Sequence, residues 1–360
     1  MMGRERMLTA LDGGVPDHLP ASVHDWMPFW LENYLSGASA VEAFERFGLD
    51  WSIYRWKWNL GEIDPDKWEE TQRRISPPNR EREDEILIRT PKKTLRQVWK
   101  WDQYGTHWTT DYLFKEPEDV FIWCRWHPVE KYDLDYERES LEIVGDNGIL
   151  RAGRIGPWHR LCDNYGIEKM ILSCFEDPDW VRDAMNAVTE LDLRAFESMQ
   201  GSRIDLFETG GGHNSSTVIS PDIFREFILP YEQRIHSFLK DEIGIRTVYH
   251  TCGGMMPILD MLVEVGSNAL ETLTPPSMGG DVDLAEVKRR VGGKVALIGG
   301  FDQYNGFENA TTEQTREHVR HCFETAGKGG AYIMNPSDHF FDAPIENLEA
   351  YADEARKCVY

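Results

Sequence analysis

His250 and Cys252 stand two residues apart in Tyr249-His250-Thr251-Cys252-Gly253-Gly254, directly after the apolar-edged run 243–249. On an extended strand end, residues i and i+2 point to the same side, so an imidazole nitrogen and a thiol sulfur reach one point in space. A borderline-soft ion, zinc above all, takes that pair of donors. Two ligands do not hold zinc, so other chain segments must complete the shell.

The elements that would bring them together are short apolar strands alternating with amphipathic helices. Strands are expected at 150–155, 204–208, 246–250, 269–272, 295–298 and 331–334, with 19–23 and 51–54 at the front. Eight strands in that rhythm close a (β/α)8 TIM barrel, an α/β fold that carries its chemistry at the C-terminal strand ends. One helix should open behind Asp177-Pro178 and run to 200, an acidic cap followed by a proline. Another should cover 221–240, with Phe224, Phe227, Ile228 and Tyr231 on one face. The segment 64–142 breaks the rhythm. Its runs 85–89, 94–101 and 106–113 alternate apolar and polar residues around the turn Asp102-Gln103-Tyr104-Gly105, which predicts an antiparallel β insertion after the second strand. No linker divides the chain, so residues 1–360 read as a single domain.

The predicted strand ends carry His24 with Asp25, Arg154, Glu208, Glu271, Asp302 and the group Asn335 to His339. Glu208 is either a partner for the following Gly210-Gly211-Gly212 turn or a metal ligand or base. His339 is the first choice for a further ligand and Asp338 the second, since Phe340 and Phe341 suggest an apolar wall beside which a lone carboxylate is costly. His24 is a candidate catalytic residue. So is Asp302, which can equally satisfy its own Gly-Gly turn. His213 either caps the glycine turn or lines a pocket; that turn lacks the lysine and the spacing of a phosphate loop. Trp26, Arg154, His213 and Phe340 are the expected substrate-pocket residues. The thirteen tryptophans include an early cluster at 26, 30, 51, 56 and 58, suited to core packing or to a flat substrate.

Against 39 Lys and Arg, 62 Asp and Glu give a net charge of −23. That balance repels phosphate backbones and anionic membrane surfaces, which argues against nucleic-acid and membrane partners. No run approaches the roughly 18 apolar residues of a spanning helix, and residues 1–12 lack the apolar core of a signal peptide. Six cysteines without paired spacing suit a reducing compartment, so a cytoplasmic location is expected. Exposed barrel helices are compatible with a homodimer.

Taken jointly, several segments resemble the uroporphyrinogen decarboxylase superfamily, and within it the zinc-dependent, corrinoid-linked methyltransferases. These are Arg4-Glu5-Arg6-Met7 to Pro20, Ile219-Ser220-Pro221 to Leu229-Pro230-Tyr231, His250-Thr251-Cys252-Gly253, Ile298-Gly299-Gly300-Phe301-Asp302 and Gly329-Gly330-Ala331-Tyr332-Ile333 to Pro344-Ile345-Glu346-Asn347. The resemblance implies a (β/α)8 barrel with zinc on His250 and Cys252. It departs from the coenzyme M methyltransferases at the last strand, where Asn335-Pro336-Ser337-Asp338-His339 replaces a second ligand cysteine. One thiolate leaves zinc more positive than two and favours polarising an ether oxygen over activating a bound thiol. The expected activity is therefore methyl transfer from a small methoxylated donor, an aromatic one above all, to a corrinoid (cobalamin) carried by a partner protein. The sequence shows no corrinoid-binding Asp-x-His-x-x-Gly motif. Methylcobalamin:thiol methyl transfer, decarboxylation of a uroporphyrinogen and a non-catalytic zinc-binding barrel are the alternatives.

Overall fold

The computed structural model describes all 360 residues. Its centre is a parallel sheet of seven strands: Trp51–Tyr54, Gly148–Gly153, Leu206–Gly210, Thr247–His250, Ala269–Thr272, Ala296–Gly299 and Tyr332–Ile333, each hydrogen-bonded to the next in that order. The expected strand at 19–23 is instead a single parallel bridge between Ala21 and Met334. Pro20 has no N–H to give to a ladder. The segment still spans the two sheet edges: Ser22 N donates to Met334 O (3.0 Å), Met334 N to Pro20 O (2.9 Å) and Asp50 N to Ala21 O (3.0 Å).

Period-two alternation divides the interior into two layers. Ile149, Leu206, Val248, Ala269, Ala296, Ile298 and Ile333 form an apolar cluster, closed from below by Met7, Ala10 and Leu11 of the helix Gly3–Leu11. Two residues further along four of these strands come Arg151, Glu208, His250 and Glu271. Those are the polar residues of the mouth. The register aligns them: Val248 pairs with Ala269 and His250 with Glu271 across one strand boundary.

Between Trp51–Tyr54 and Gly148–Gly153 lies a four-stranded antiparallel sheet, Glu69–Arg74, Glu83–Arg89, Thr94–Trp101 and His107–Asp111. Its first strand is exposed along its whole length, so it carries no apolar alternation from which to read it. Asp102 builds the turn by accepting from Tyr104 N (2.9 Å) and Thr106 N (3.0 Å). The β character of 64–142 is limited, however, because Glu118–Trp126 and Leu134–Val144 are helices.

Asp177 accepts from Trp180 N (3.1 Å) and caps the helix Pro178–Phe196. The next helical stretch starts at Pro221 under a Ser220 cap and contains two wider π turns, Phe224–Ile228 and Phe238–Ile243. The first adjoins Pro230, whose ring and missing N–H displace the regular ladder. No helix is long and apolar enough to cross a membrane.

Candidate metal and catalytic centre

His250 sits at the end of its strand between two different neighbours. Its Nδ1 is 3.1 Å from Glu271 Oε1, and its Nε2 is 3.0 Å from Cys252 Sγ. A carboxylate on Nδ1 keeps a proton there, so that whenever the ring is neutral the Nε2 lone pair faces the sulfur. Glu208 approaches the Nδ1 side, with Oε1 at 3.6 Å. It therefore does not converge with Nε2 and Cys252 on one point.

Arg151 lies beneath this group, 1% exposed. It donates to Glu271 Oε1 (2.7 Å) and Glu208 Oε2 (3.0 Å), and its guanidinium covers the Tyr54 ring at 4.4 Å. Tyr54 donates its hydroxyl to Glu208 Oε2 (2.5 Å) and stands 3.2 Å from His24 Nδ1. One donor atom each from His24, Glu208, His250 and Glu271 falls within 4.8 Å of the others. The His24 ring lies 5.1 Å from that of His250 and 5.2 Å from that of His339.

Electrostatics assign different protonation to these neighbours. Burial, only partly offset by Glu271, lowers the His24 pKa to about 3 and keeps its ring neutral. For His250 burial acts the same way, but Cys252, Glu208 and the Glu271 hydrogen bond overcome it and carry the imidazole well above its ordinary value. Burial likewise works to raise Glu271, yet Arg151 and the two histidines hold it well below the usual carboxylate range. Glu208 goes the other way: burial raises its pKa against the pull of His250 and Arg151. Burial raises the Cys252 thiol too, with the Asp338 carboxylate adding to the shift as His250 opposes it. The surroundings of His250 thus favour positive charge beside Nε2 and Sγ.

Not every expected residue belongs to this centre. Asp338 is close enough for its charge to act on the Cys252 thiol, and His339 packs toward His24 with its Nδ1 buried and unpartnered. Asp302 is a turn residue that accepts from Ser277 Oγ (2.5 Å), Asn305 N (2.9 Å) and Asn305 Nδ2 (2.8 Å). Arg154 lies one residue beyond its strand and is tied to Asp192 (2.7 Å) and Glu130, with Trp58 under its guanidinium. Trp26 and Phe340 are 2% and 1% exposed and pack with Trp30 and Phe47 in the core. Trp26 comes from the loop after 23 and Phe340 from the loop after Tyr332–Ile333, and the two meet beside the helices Pro28–Leu35 and Ala40–Phe47. His213 lines a separate cavity. Arg151 and Tyr54 were not anticipated; a lone arginine in the apolar run Ile149-Leu150-Arg151-Ala152 was the available signal.

The curled parallel sheet with a polar mouth at its C-terminal end defines an α/β fold of the TIM-barrel type. The family model for uroporphyrinogen decarboxylase (URO-D) matches residues 116–358, and the chain belongs to that family. Among curated proteins it is 23% identical over 186 residues to a methylated-thiol–coenzyme M methyltransferase of Methanosarcina mazei, covering 52% of this chain and 47% of that one. It is 29% identical over 192 residues to the uroporphyrinogen decarboxylase of Thioalkalivibrio sulfidiphilus, covering 51% and 50%. The chain thus matches about half the length of these relatives. A solved methyltransferase from Methanosarcina mazei shares the fold over 99% of both chains, with a TM-score of 0.67 and 16% identity.

Proposed function

We propose that this protein is a zinc-dependent methyltransferase that moves a methyl group from a small methoxylated aromatic donor to a corrinoid held by a partner protein. The observation that carries the reading is the placing of His250 Nε2 3.0 Å from Cys252 Sγ, with Nδ1 tied to Glu271. A nitrogen and a sulfur that close together fit zinc. His250 and Cys252 would hold it, and Asp338, whose charge acts on the thiol, and His339, beside His24, are the candidates to complete the shell. Bound there, zinc supplies Lewis acidity that draws electron density from the donor's ether oxygen.

The chain's own residues complete the chemistry. Glu208 is held by Tyr54 and Arg151, keeps a raised pKa and is the more exposed of the two mouth glutamates. It holds a proton for the oxygen that leaves when the carbon–oxygen bond breaks. A cobalt(I) corrinoid on the partner would supply the electron pair that takes the methyl group, and with the proton from Glu208 the donor would leave as a phenol.

A polycarboxylate tetrapyrrole suits this mouth poorly. Arg151 is already paired with two carboxylates, and Asp25 and Asp338 add negative charge nearby. Methylated thiols are a second donor class, supported by the named activity of the Methanosarcina mazei relative. The ether is preferred because a single thiolate leaves zinc the stronger polariser of oxygen.

The test is incubation with cob(I)alamin and a panel of methoxylated arenes and methyl thioethers. Formation of methylcobalamin together with a phenol supports the reading. A thiol product moves it to the second donor class, and coproporphyrinogen formed from uroporphyrinogen would replace it with decarboxylation.

A further inference from the structure

Away from the mouth, a second group of metal-binding side chains converges. His159 and Asp163 are four residues apart on the helix Pro157–Tyr165 and share one face of it. His213 comes from the short turn Gly212–Asn214 that follows the strand Leu206–Gly210. Asp163 Oδ2 is 3.4 Å from His159 Nε2, and Oδ1 is 3.2 Å from His213 Nε2. The two rings lie 4.3 Å apart, and one donor atom from each residue falls within 4.8 Å of the others. An ion with bonds of about 2.0–2.2 Å holds neighbouring donors roughly 3.0–3.5 Å apart; the carboxylate stands at that spacing from each ring, and the two ring donors lie within 4.8 Å of one another.

The local backbone is built for this approach. Gly211 has φ +135°, and a Cβ there would lie 2.0 Å from His159 Nδ1, so only glycine lets the His159 ring stand against the turn. Trp158 Nε1 donates to His213 O (3.1 Å) and fixes the turn against the helix. All three candidate ligands are half-buried and line a cavity of about 760 Å³. Its opposite wall is the antiparallel insertion, through Trp99, His107 and Trp108. An ion on these ligands would keep coordination positions open toward that space.

We propose that His159, Asp163 and His213 form a second metal site, distinct from His250 and Cys252, that takes a divalent first-row transition ion. Two imidazoles and a carboxylate without sulfur select a borderline ion such as zinc, iron(II) or cobalt(II) over a soft one, and leave open positions for a ligand from the cavity.

Cobalt(II) titration of the metal-stripped full-length protein separates the two sites, since only a cobalt–thiolate bond gives intense sulfur-to-metal charge transfer. The expected result is two equivalents, one with that absorption and one without. His213→Gln and Asp163→Asn should each remove the sulfur-free equivalent and keep the charge-transfer band, whereas Cys252→Ser should do the reverse. Outer-shell partners alone are worth about 10–100-fold in affinity, so loss of a direct ligand should weaken cobalt binding at this site by at least that much. Anomalous scattering from cobalt-soaked wild-type crystals should peak between the three side chains, a readout that needs no variant to fold. A sulfur-free equivalent that survives Cys252→Ser and is lost in His213→Gln supports the site even if the mouth binds nothing. A single equivalent abolished by Cys252→Ser, two equivalents retained in both His213→Gln and Asp163→Asn, or no anomalous peak at the triad would overturn it.

Discussion

Glu271 Oε1 sits 3.1 Å from His250 Nδ1, on the side of the ring away from Cys252, so one carboxylate decides which imidazole nitrogen faces the sulfur. Replacing Glu271 by Gln removes the charge that steers His250 while keeping a similar shape. Zinc affinity should fall by about 10–100-fold with the circular dichroism spectrum unchanged. Competition with a chromophoric chelator measures it, and unaltered affinity would show that Glu271 does not position the ligand.

Arg151 is the buried cation on which two mouth carboxylates depend. Arg151→Met leaves Glu208 and Glu271 facing each other without it, and should cost about 3–5 kcal/mol of unfolding free energy. Urea titration at neutral pH reads this directly. A loss below about 1 kcal/mol would mean that the carboxylates find other partners.

Glu208→Gln keeps the hydrogen bond from Tyr54 but has no proton to give. Methyl transfer should slow by about 10²–10⁴-fold while zinc content stays the same. Equal rates for the two proteins in single-turnover assays would remove Glu208 from the reaction.

Behind the mouth, Glu232 and His236 are fully buried and linked through Thr209, whose hydroxyl lies 3.0 Å from Glu232 Oε2 and 2.8 Å from His236 Nε2. Burial pushes Glu232 up to about 8 and His236 down to about 3, so both are neutral in the fold. Glu232 contributes stability that is full below its unfolded value of 4.5 and is lost as pH rises through about 8. The contribution of His236 is full above its unfolded value of 6.5 and is lost as pH falls toward 3. The two oppose each other between 4.5 and 6.5, so the Glu232 loss stands alone from 6.5 to 8, at up to about 1.4 kcal/mol per pH unit. Wild-type protein should lose more stability than Glu232→Gln between pH 6.5 and 8.5. Parallel denaturation midpoints for the two across that range would contradict the assignment.

Trp26 and Phe340 are core residues, so Trp26→Ala should act on stability, by about 3–5 kcal/mol, and not on donor affinity. Thermal melts with a KM measurement on the surviving folded fraction distinguish the two. A raised KM with unchanged melting would return Trp26 to the pocket.

What the sequence made readable is what local pattern encodes. Period-two apolar runs located the sheet strands, and the i, i+2 placing of His250 and Cys252 marked the strand end at which the polar mouth opens. The interior layers explain the successes: Val248 below and His250 above is a pattern any one strand shows by itself. Side-chain direction beyond a strand end is not encoded that way. Arg154 was expected in the pocket on the assumption that its strand reached 155; the strand stops at Gly153, and the guanidinium turns out to Asp192. Arg151 was missed for the complementary reason, since its partners lie 57 and 120 residues away in sequence. Glu69–Arg74 carries no apolar signal because its edge strand is solvated throughout.

The central claim is that methyl transfer runs through a metal gripped by His250 and Cys252. Methylcobalamin formation from cob(I)alamin and the preferred donor, followed by absorbance in wild-type, metal-stripped and zinc-restored protein, tests it most directly. Transfer should disappear with the metal, return when zinc is restored, and not return in Cys252→Ser. Metal-stripped protein that transfers methyl at the wild-type rate would contradict it.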